Sequence, residues 1–398
     1  VPFDLFFEGT RALLKTQPFH TISLLEGNNE DPQKVRLLKL LYLLKYENGF
    51  KTTVKNLAVL MTSEGDRGRE ELETTIHTAL DQLVRYNYVQ EVGGAYEFQT
   101  DIQQEVVRRI NATELQKGEI RNYFASQLFD EMLGRNNVLR LKHDRLGLDF
   151  DYSKRIDRQD YKARIGDISI HFICGAEDNY PNETELLALS MAQHELLIVL
   201  PQDRKLFEDV ALFLRTNRYA SISTSEKMSD DKLAVITAKR KENDTRRLGI
   251  VERFKSLATG ARFLFNGREI ASQSADFHVR LREAAQHLID GSYIYLNKVL
   301  RVPTRNDIVN LLRDYTSDDL IAEFSGFNEV ESELLNYISR QVDSGVRVDL
   351  RSLIEYFKKI PYGYVNDDII KYSLVNLFIN SKVTIFLSVN ELKPTELM

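Results

Sequence analysis

The residues whose spacing comes nearest to a catalytic arrangement are Asp151, Asp160 and Lys162. Metal-dependent nucleases use carboxylates to hold Mg²⁺ and a nearby lysine to steady the attacking water. The order Asp151, then Asp160-Tyr161-Lys162, fits that layout and gives one alternative, a metal-dependent nuclease or other DNA-processing enzyme. Because residues 149–164 alternate acidic and basic side chains, a solvated loop and strand edge explains the same pattern, and we favour that interpretation.

Other familiar catalytic motifs are missing from the 398 residues. Without a Gly-Lys dipeptide the chain has no phosphate-binding P-loop, and it also lacks Gly-x-Gly-x-x-Gly and Gly-x-Ser-x-Gly. Its single cysteine, Cys174, excludes an internal disulfide and a Cys-based zinc site. No two of its seven histidines lie four residues apart, the spacing of a metal-binding helix. We therefore expect no catalytic residue, no metal site and no cofactor in this chain.

Composition is that of a globular protein. Apolar residues make up 43% and charged residues 28% of the sequence, which excludes a disordered chain. No apolar run approaches the roughly 18 residues needed to cross a bilayer, and the first residues lack a signal-peptide pattern. We expect a cytoplasmic protein without membrane contact. Since the net charge is −6, any contact with nucleic acid must come from a local basic patch.

Two groups of basic residues could supply such a patch, each in or beside a segment that we predict to be helical. They are Arg240, Lys241 and Arg247 in one group, and Lys39, Lys45 and Lys51 in the other. Lys and Arg side chains neutralise DNA phosphates without reading the sequence, so we expect sequence-independent contact if DNA binds. A solvated helix face is the alternative for both groups, because residues such as Lys239 and Glu242 can pair within the helix.

The apolar pattern over residues 34–98 predicts a winged helix. Its expected elements are helices over 34–46, 54–61 and 69–86 and strands over 88–92 and 95–98. The first helix is apolar nearly all round, Thr52 or Thr53 can cap the second, and Gly93-Gly94 is typical of a tight hairpin. The third helix and the hairpin carry more acidic than basic side chains, with Arg69 and Arg85 among the few basic ones. Base reading is therefore disfavoured here.

The remaining sequence predicts a mainly helical, multi-domain α+β protein. Strand-like runs at 165–174 and 196–200 enclose a helix at 183–193, a long helix covers 230–259, and Asn266-Gly267 marks a hairpin. Helices over 329–342, 349–360 and 366–380, then a strand at 382–387, indicate a second winged-helix-like module. The expected domains are a helical leader (1–33), a winged helix (34–112), a helical linker (113–148), a small α/β unit (149–225), long helices with a β-hairpin (226–326) and the second module (327–398).

Several segments resemble one protein family, in the same order along the chain. They are residues 37–46, 53–61, 79–90, 96–101, 213–219 (Phe-Leu-Arg-Thr-Asn-Arg-Tyr), 261–267 (Ala-Arg-Phe-Leu-Phe-Asn-Gly) and 358–364 (Lys-Lys-Ile-Pro-Tyr-Gly-Tyr). They look like the region after the ATPase core of the BrxC/PglY family, the large P-loop proteins of BREX phage-defence systems. None of these segments is a catalytic signature, so the resemblance carries over no catalytic residue.

The resemblance implies a non-catalytic interaction or scaffolding region of an anti-phage ATPase. Since the sequence starts at Val1 and lacks a P-loop, we expect a fragment downstream of the nucleotide-binding core, with ATP and Mg²⁺ bound only in that core. Other BREX proteins are the expected partners, while double-stranded DNA and a homo-oligomer stay open. A transcription regulator is a third interpretation, disfavoured because it would carry a basic recognition helix.

Overall fold

The computed structural model describes residues 2–10, 19–27, 31–45, 47, 49–62, 68–134, 140–175, 180–223, 228–316, 328–388, 390–393 and 396. These residues form two compact units. The first unit contains Val1–Lys117 and Glu208–Ile250, and the second contains Gly118–Phe207 and Val251–Met398. Within the described residues, no helix is both long and apolar enough to span a membrane.

The first unit begins with a short 3-10 turn, Phe3–Leu5, and the winged-helix order of elements. These are α1 (Phe6–Thr10), α2 (Phe19–Gly27), α3 (Pro32–Leu44), α4 (Val54–Met61), α5 (Arg69–Arg85), β1 (Val89–Val92), β2 (Ala95–Phe98) and α6 (Asp101–Asn111). Helix α3 is the centre of the unit's core, because Leu37, Leu38, Leu40 and Leu41 are all buried. The expected order of three helices and a hairpin is therefore observed over residues 34–98.

Local signals explain where these elements begin. The Thr53 hydroxyl accepts a hydrogen bond from the Asn56 N–H and caps α4, while the Thr52 hydroxyl donates to the carbonyl of Tyr96 at 2.6 Å and ties the hairpin to the helices. Gly93 and Gly94 both have positive φ and form the two-residue turn between β1 and β2. The sequence left open which of the two threonines is the cap, and the structure assigns that role to Thr53.

Residues 119–199 supply two more α-helices, a π-helical segment and six strands. They form α7 (Glu119–Ala125), a π-helical segment (Ser126–Leu133), β3 (Leu141–His143), β4 (Leu148–Phe150), β5 (Tyr152–Ile156), β6 (Gln159–Asp160), β7 (Ile168–Ile173), α8 (Glu183–Ser190) and β8 (Glu195–Val199). Gly118 precedes α7 with a φ of 83°, in the left-handed region that favours glycine.

Two long helices and a hairpin follow. They are α9 (Arg204–Ser223), α10 (Asp230–Thr259), β9 (Arg262–Phe265), β10 (Arg268–Glu269) and α11 (Phe277–Ser292). Helix α10 has the predicted limits, and α11 ends at Ser292. The backbone leaves the helix at Tyr293 and then makes a 3-10 turn over Leu296–Lys298.

A mixed six-stranded sheet in the order β10-β9-β8-β7-β5-β6 is the core of the second unit. Strands β5, β7 and β8 are parallel, and β9 joins β8 in antiparallel register. All five residues of β8 are buried, as expected for a parallel strand with both faces covered. The hairpin over 262–270, expected to lie apart from the small α/β unit, is thus part of the same sheet; the six-domain division itself stays a prediction.

The C-terminal residues form a module of four helices with a wing. Its elements are α12 (Arg305–Thr316), α13 (Asn328–Asp343), α14 (Leu350–Lys358), α15 (Asp367–Ile379), β11 (Phe386–Leu387) and β12 (Asn390–Glu391). Asp349 and Asn366 cap α14 and α15. A strand was predicted over 382–387, but only Phe386 and Leu387 form one in the structure. They pair with β12, a strand that was not predicted from the sequence.

Candidate interaction surfaces

The structure does not assemble the nuclease-like trio. Asp151 pairs with Arg140 at 2.9 Å, Asp160 pairs with Arg155 and Arg164, and Lys162 pairs with Asp130 at 2.8 Å. Asp160 lies opposite Arg155 in the sheet, four residues along from Asp151, so the two aspartates are separated by roughly 13 Å along the strand. One magnesium ion cannot span that distance with its ligands at about 2.1 Å.

Lys162 is engaged with a carboxylate outside the trio. Its ammonium group donates to Asp130 at 2.8 Å, and this hydrogen bond raises the pKa of Lys162. In the described part of the chain, no group of three or more His, Cys, Asp or Glu side chains could hold a metal ion. The alternating charges of residues 149–164 are therefore ion pairs at the edge of the sheet, in agreement with the interpretation that we favoured.

Two of the three candidate lysines near α3 are engaged within the protein. The Lys39 ammonium lies 2.6 Å from the carboxylates of both Glu8 and Glu26. Lys45 donates to the Phe98 carbonyl and to Gln103, each at 2.8 Å, and burial lowers its pKa to about 8. Lys51 is exposed and makes no ion pair among the described residues. Lys51 is thus the one member of this group that the structure leaves open for a phosphate.

On α10 the basic residues separate into engaged and open side chains. Lys239 pairs with Glu242 at 2.9 Å, as the helical spacing predicted, and Arg240 donates to the Ala220 carbonyl at 2.7 Å. Lys241 and Arg247 are exposed and have no ion-pair partner in the described residues. These two cations, with the still exposed Arg240, form what we call the α10 basic patch.

The third helix of the first module presents an acidic face to solvent. The exposed titratable side chains of α5 are Glu70, Glu71, His77, Asp81 and Arg85, and the His77 ring lies 3.2 Å from the Asp81 carboxylate. The side chain of Arg69 lies outside the described residues. Because phosphate neutralisation supplies most non-specific DNA affinity, this face is unsuited to the major groove, as the sequence indicated.

The equivalent helix of the C-terminal module is covered. Helix α15 packs against α12, α13 and α14, and none of its thirteen residues is exposed. Its first turn carries Asp367 and Asp368, and Asp367 pairs with Lys358 at 2.8 Å. Seven of the thirteen residues of α15 are buried and the other six are half-buried, so this helix has little free surface to offer a DNA groove. Part of this covering could not be predicted from the sequence, because α12, which packs on α15 together with α13 and α14, lies outside the predicted module.

The same module exposes several apolar side chains. The exposed apolar residues of α13, the loop that follows it, α14 and the wing include Val342, Val346, Leu350, Phe386 and Leu387. The Arg347 guanidinium donates to the Ser388 carbonyl at 3.2 Å, which joins that loop to the wing. We call these five side chains the wing patch. The sequence analysis missed it, although three apolar residues at spacing four from 342 to 350 are a usable signal.

Residues 358–364, one of the segments that resemble the BrxC/PglY family, have a structural role. Tyr362 stacks on Tyr295 with ring centroids 4.9 Å apart, and the Tyr364 hydroxyl donates to the Tyr295 carbonyl. Gly363 has a φ of 71°, and a Cβ added there would lie 2.7 Å from the Tyr293 ring. This segment therefore fastens α14 and α15 to the residues that follow α11.

These features define a mainly helical α+β protein with a six-stranded mixed sheet and a winged-helix module at its C-terminal end. Residues 113–288 match the family model of the BREX ATP-binding protein BrxC 4th domain with six-stranded beta sheet. Residues 299–398 match that of the BREX ATP-binding protein BrxC winged helix-turn-helix domain. The two matches span more than two thirds of the chain, which belongs to the BrxC family, as the sequence resemblance predicted. No solved structure matches it.

Proposed function

We propose that this chain is an assembly region of a BREX defence protein, in which the winged-helix modules make protein contacts instead of reading DNA sequence. Helix α15 carries this proposal, because the element that would enter the major groove packs against three other helices and has only buried or half-buried residues. The acidic exposed face of α5 supports it in the first module. Membership of the BrxC family associates the chain with the BREX system, and other BREX proteins are the proposed partners.

The proposal assigns no chemical step to the chain. This is supported by the three side chains that come nearest to a catalytic pattern, Asp151, Asp160 and Lys162. Each of them forms an ion pair with a different neighbouring residue. ATP and Mg²⁺ belong, in this proposal, to a nucleotide-binding core outside the sequence. The chain itself then binds no nucleotide, and saturable binding of ATP in calorimetry would contradict that.

The wing patch is the surface through which we propose that the C-terminal module binds its partner. Aromatic and aliphatic side chains exposed beside an arginine are typical of the centre of a protein interface. Changing Phe386 and Leu387 together to serine is expected to weaken binding to the cognate BREX protein at least tenfold in calorimetry, since both anchors are lost.

The control for this variant is Ile165→Ser, which removes an equally exposed apolar side chain from another surface. It should bind partners as the unchanged chain does. Equal weakening by both variants would indicate non-specific association, and unchanged binding by the double variant would exclude the wing patch as the contact.

Sequence-independent DNA contact is the second candidate function, and the α10 basic patch favours it. Each lost phosphate contact lowers the slope of log K against log salt by about 0.9 for duplex DNA. Changing Arg240, Lys241 and Arg247 together to glutamate is therefore expected to weaken DNA binding and to reduce the slope by about two to three. Fluorescence anisotropy at several salt concentrations measures both quantities.

The matched control is Arg85→Glu, which reverses an exposed charge on the acidic face of α5. It should leave DNA affinity nearly unchanged. Sequence-specific binding that depends on Arg85 would overturn this second candidate. An absence of binding at low salt would remove it as well and would leave protein assembly as the function.

A further inference from the structure

A cavity of about 420 Å³ lies within the first unit, between β1, α6, α9 and α10. Its volume falls in the range of small-molecule sites, which are concave and mostly apolar with a few convergent polar groups. The apolar wall includes Val89, Val107, Ile110 and Leu212. Neither the proposed assembly surface nor the α10 basic patch includes any of these residues.

The polar end of the cavity is held by a hydrogen-bonded group from α10 and β1. Lys239 donates to Gln90 at 2.8 Å and pairs with Glu242 at 2.9 Å. The side chain of Lys239 is only 13% exposed, so its charge is neutralised where it lies. The Lys239–Glu242 pair therefore forms one rim of the cavity. Because its two charges cancel, it offers little net charge to attract a ligand.

Arg246 lies one helical turn beyond Glu242 and is not neutralised in the same way. Its Nη1 donates to the side-chain oxygen of Asn243, an amide and not a carboxylate. Within the residues that the structure describes, no acidic side chain forms an ion pair with Arg246. Burial lowers the pKa of Arg246, while the more distant Asp209 and Glu242 act in the opposite direction.

A second feature of the wall is a buried amide oxygen, that of Gln99, which has no hydrogen-bond donor among the described residues. Gln99 is 3% exposed, and its amide nitrogen donates to Gln90 at 3.2 Å. Its amide oxygen accepts no hydrogen bond in the described residues. A buried acceptor without a donor is destabilising, and a ligand with an N–H or O–H group would relieve that.

The family-like segment over 213–219 forms part of the opposite wall. Thr216 lines the cavity, and the Phe213 carbonyl accepts a hydrogen bond from the Asn243 amide at 3.1 Å. Asn243, which is 1% exposed, therefore joins α9 to Arg246. The guanidinium is thus positioned by buried side chains and not by solvent.

We propose that this cavity binds a carboxylate attached to an apolar group and an adjacent N–H donor, as found at the C-terminus of a peptide or in a free N-acyl amino acid. The carboxylate pairs with Arg246, whose planar guanidinium matches two carboxylate oxygens. The N–H group meets Gln99, and the apolar group contacts the valine, isoleucine and leucine wall. A doubly charged phosphate fits less well, because Glu242 and Glu91 also line the cavity.

The test compares three probes on the whole chain by calorimetry and saturation-transfer NMR. They are N-acetyl-leucine, its neutral amide, and a pentapeptide that ends in leucine with a free carboxylate. We expect the two acids to bind and the amide to bind at least tenfold more weakly, because a charged hydrogen bond is lost. Binding of the free acid alone assigns the site to a small molecule, and stronger binding of the pentapeptide assigns it to a protein terminus.

Neighbouring arginines provide the matched variants. Arg246→Gln should weaken acid binding by tenfold or more, Arg246→Lys should restore part of it, and Arg247→Gln should leave it unchanged, since Arg247 is exposed and lies outside the cavity lining. Thermal unfolding of each variant checks that it is folded. Equal binding of acid and amide, no binding of any probe, or equal effects of the two glutamine variants would overturn the proposal. None of these outcomes depends on the BREX partners.

Discussion

Replacing Leu41 with alanine is expected to lower the melting temperature of the first unit by roughly 4–20 °C. Leu41 is 1% exposed and belongs to the buried set of α3. A buried Leu→Ala change removes transfer free energy and leaves a cavity, which together cost about 2–5 kcal/mol. For a unit of this size, each kcal/mol shifts the midpoint by about 2–4 °C. Differential scanning calorimetry of the whole chain measures the shift.

Hydrogen exchange locates the effect and supplies the control. Amides of residues 34–98 should exchange faster in Leu41→Ala, whereas those of the six-stranded sheet should not change. Val59→Ala, on the exposed side of α4, should alter stability by less than about 0.5 kcal/mol. If the melting temperature of Leu41→Ala equals that of the unchanged chain, α3 is not the core of a winged helix.

The prediction for Leu41 was possible from sequence because local signals and burial agree there. A leucine-rich segment that is apolar nearly all round can only be stable as a buried helix, and Asp31 and Thr53 cap the helices on either side of the connecting loop. The Gly93-Gly94 hairpin is also local, since two positive φ values are needed in a tight turn. Such features depend on few residues, so the elements of the first module were predicted nearly to the residue.

Long-range features could not be predicted in the same way. The pairing of β9 with β8 joins residues more than 60 positions apart, and nothing in the 262–270 hairpin indicates which sheet it extends. The candidate site had the same limitation. Lys39 and Lys45 resemble Lys51 in sequence, yet their partners come from Glu8, Glu26, Phe98 and Gln103. Whether a lysine remains open to a phosphate depends on these distant contacts.

A second large effect is expected at Glu195, a buried carboxylate on β8. One of its oxygens accepts a hydrogen bond from His171 Nδ1 at 2.7 Å, and the other pairs with Arg155. The other ring nitrogen of His171 accepts from the Arg158 backbone N–H at 2.9 Å. Glu195→Ala would leave the guanidinium of Arg155 and the buried His171 ring without their shared partner. Breaking a buried ion pair in this way costs about 3–5 kcal/mol, and chemical denaturation of the second unit should show it.

The matched control is Glu269→Ala, which removes a glutamate from an exposed pair with Arg262. Since Glu183 still pairs with Arg262, this change should cost less than about 1 kcal/mol. Similar losses of unfolding free energy in the two variants would mean that the buried Glu195 contributes no more to stability than the exposed Glu269.

The pH dependence gives an independent test of the same network. Burial alone would raise the pKa of Glu195, but its hydrogen bonds with His171 and Arg155 and the positive charge of Arg155 hold this pKa below the ordinary value of 4.5. A carboxyl whose pKa is lower in the folded state binds a proton more readily when unfolded, so its contribution is complete above about pH 4.5 and is lost as the pH falls further. Glu195→Gln removes the titrating group. Below pH 4.5 the unfolding free energy of this variant should therefore fall less steeply with decreasing pH than that of the unchanged chain. Parallel curves for the two proteins would show that Glu195 is not the carboxylate through which acid weakens the sheet.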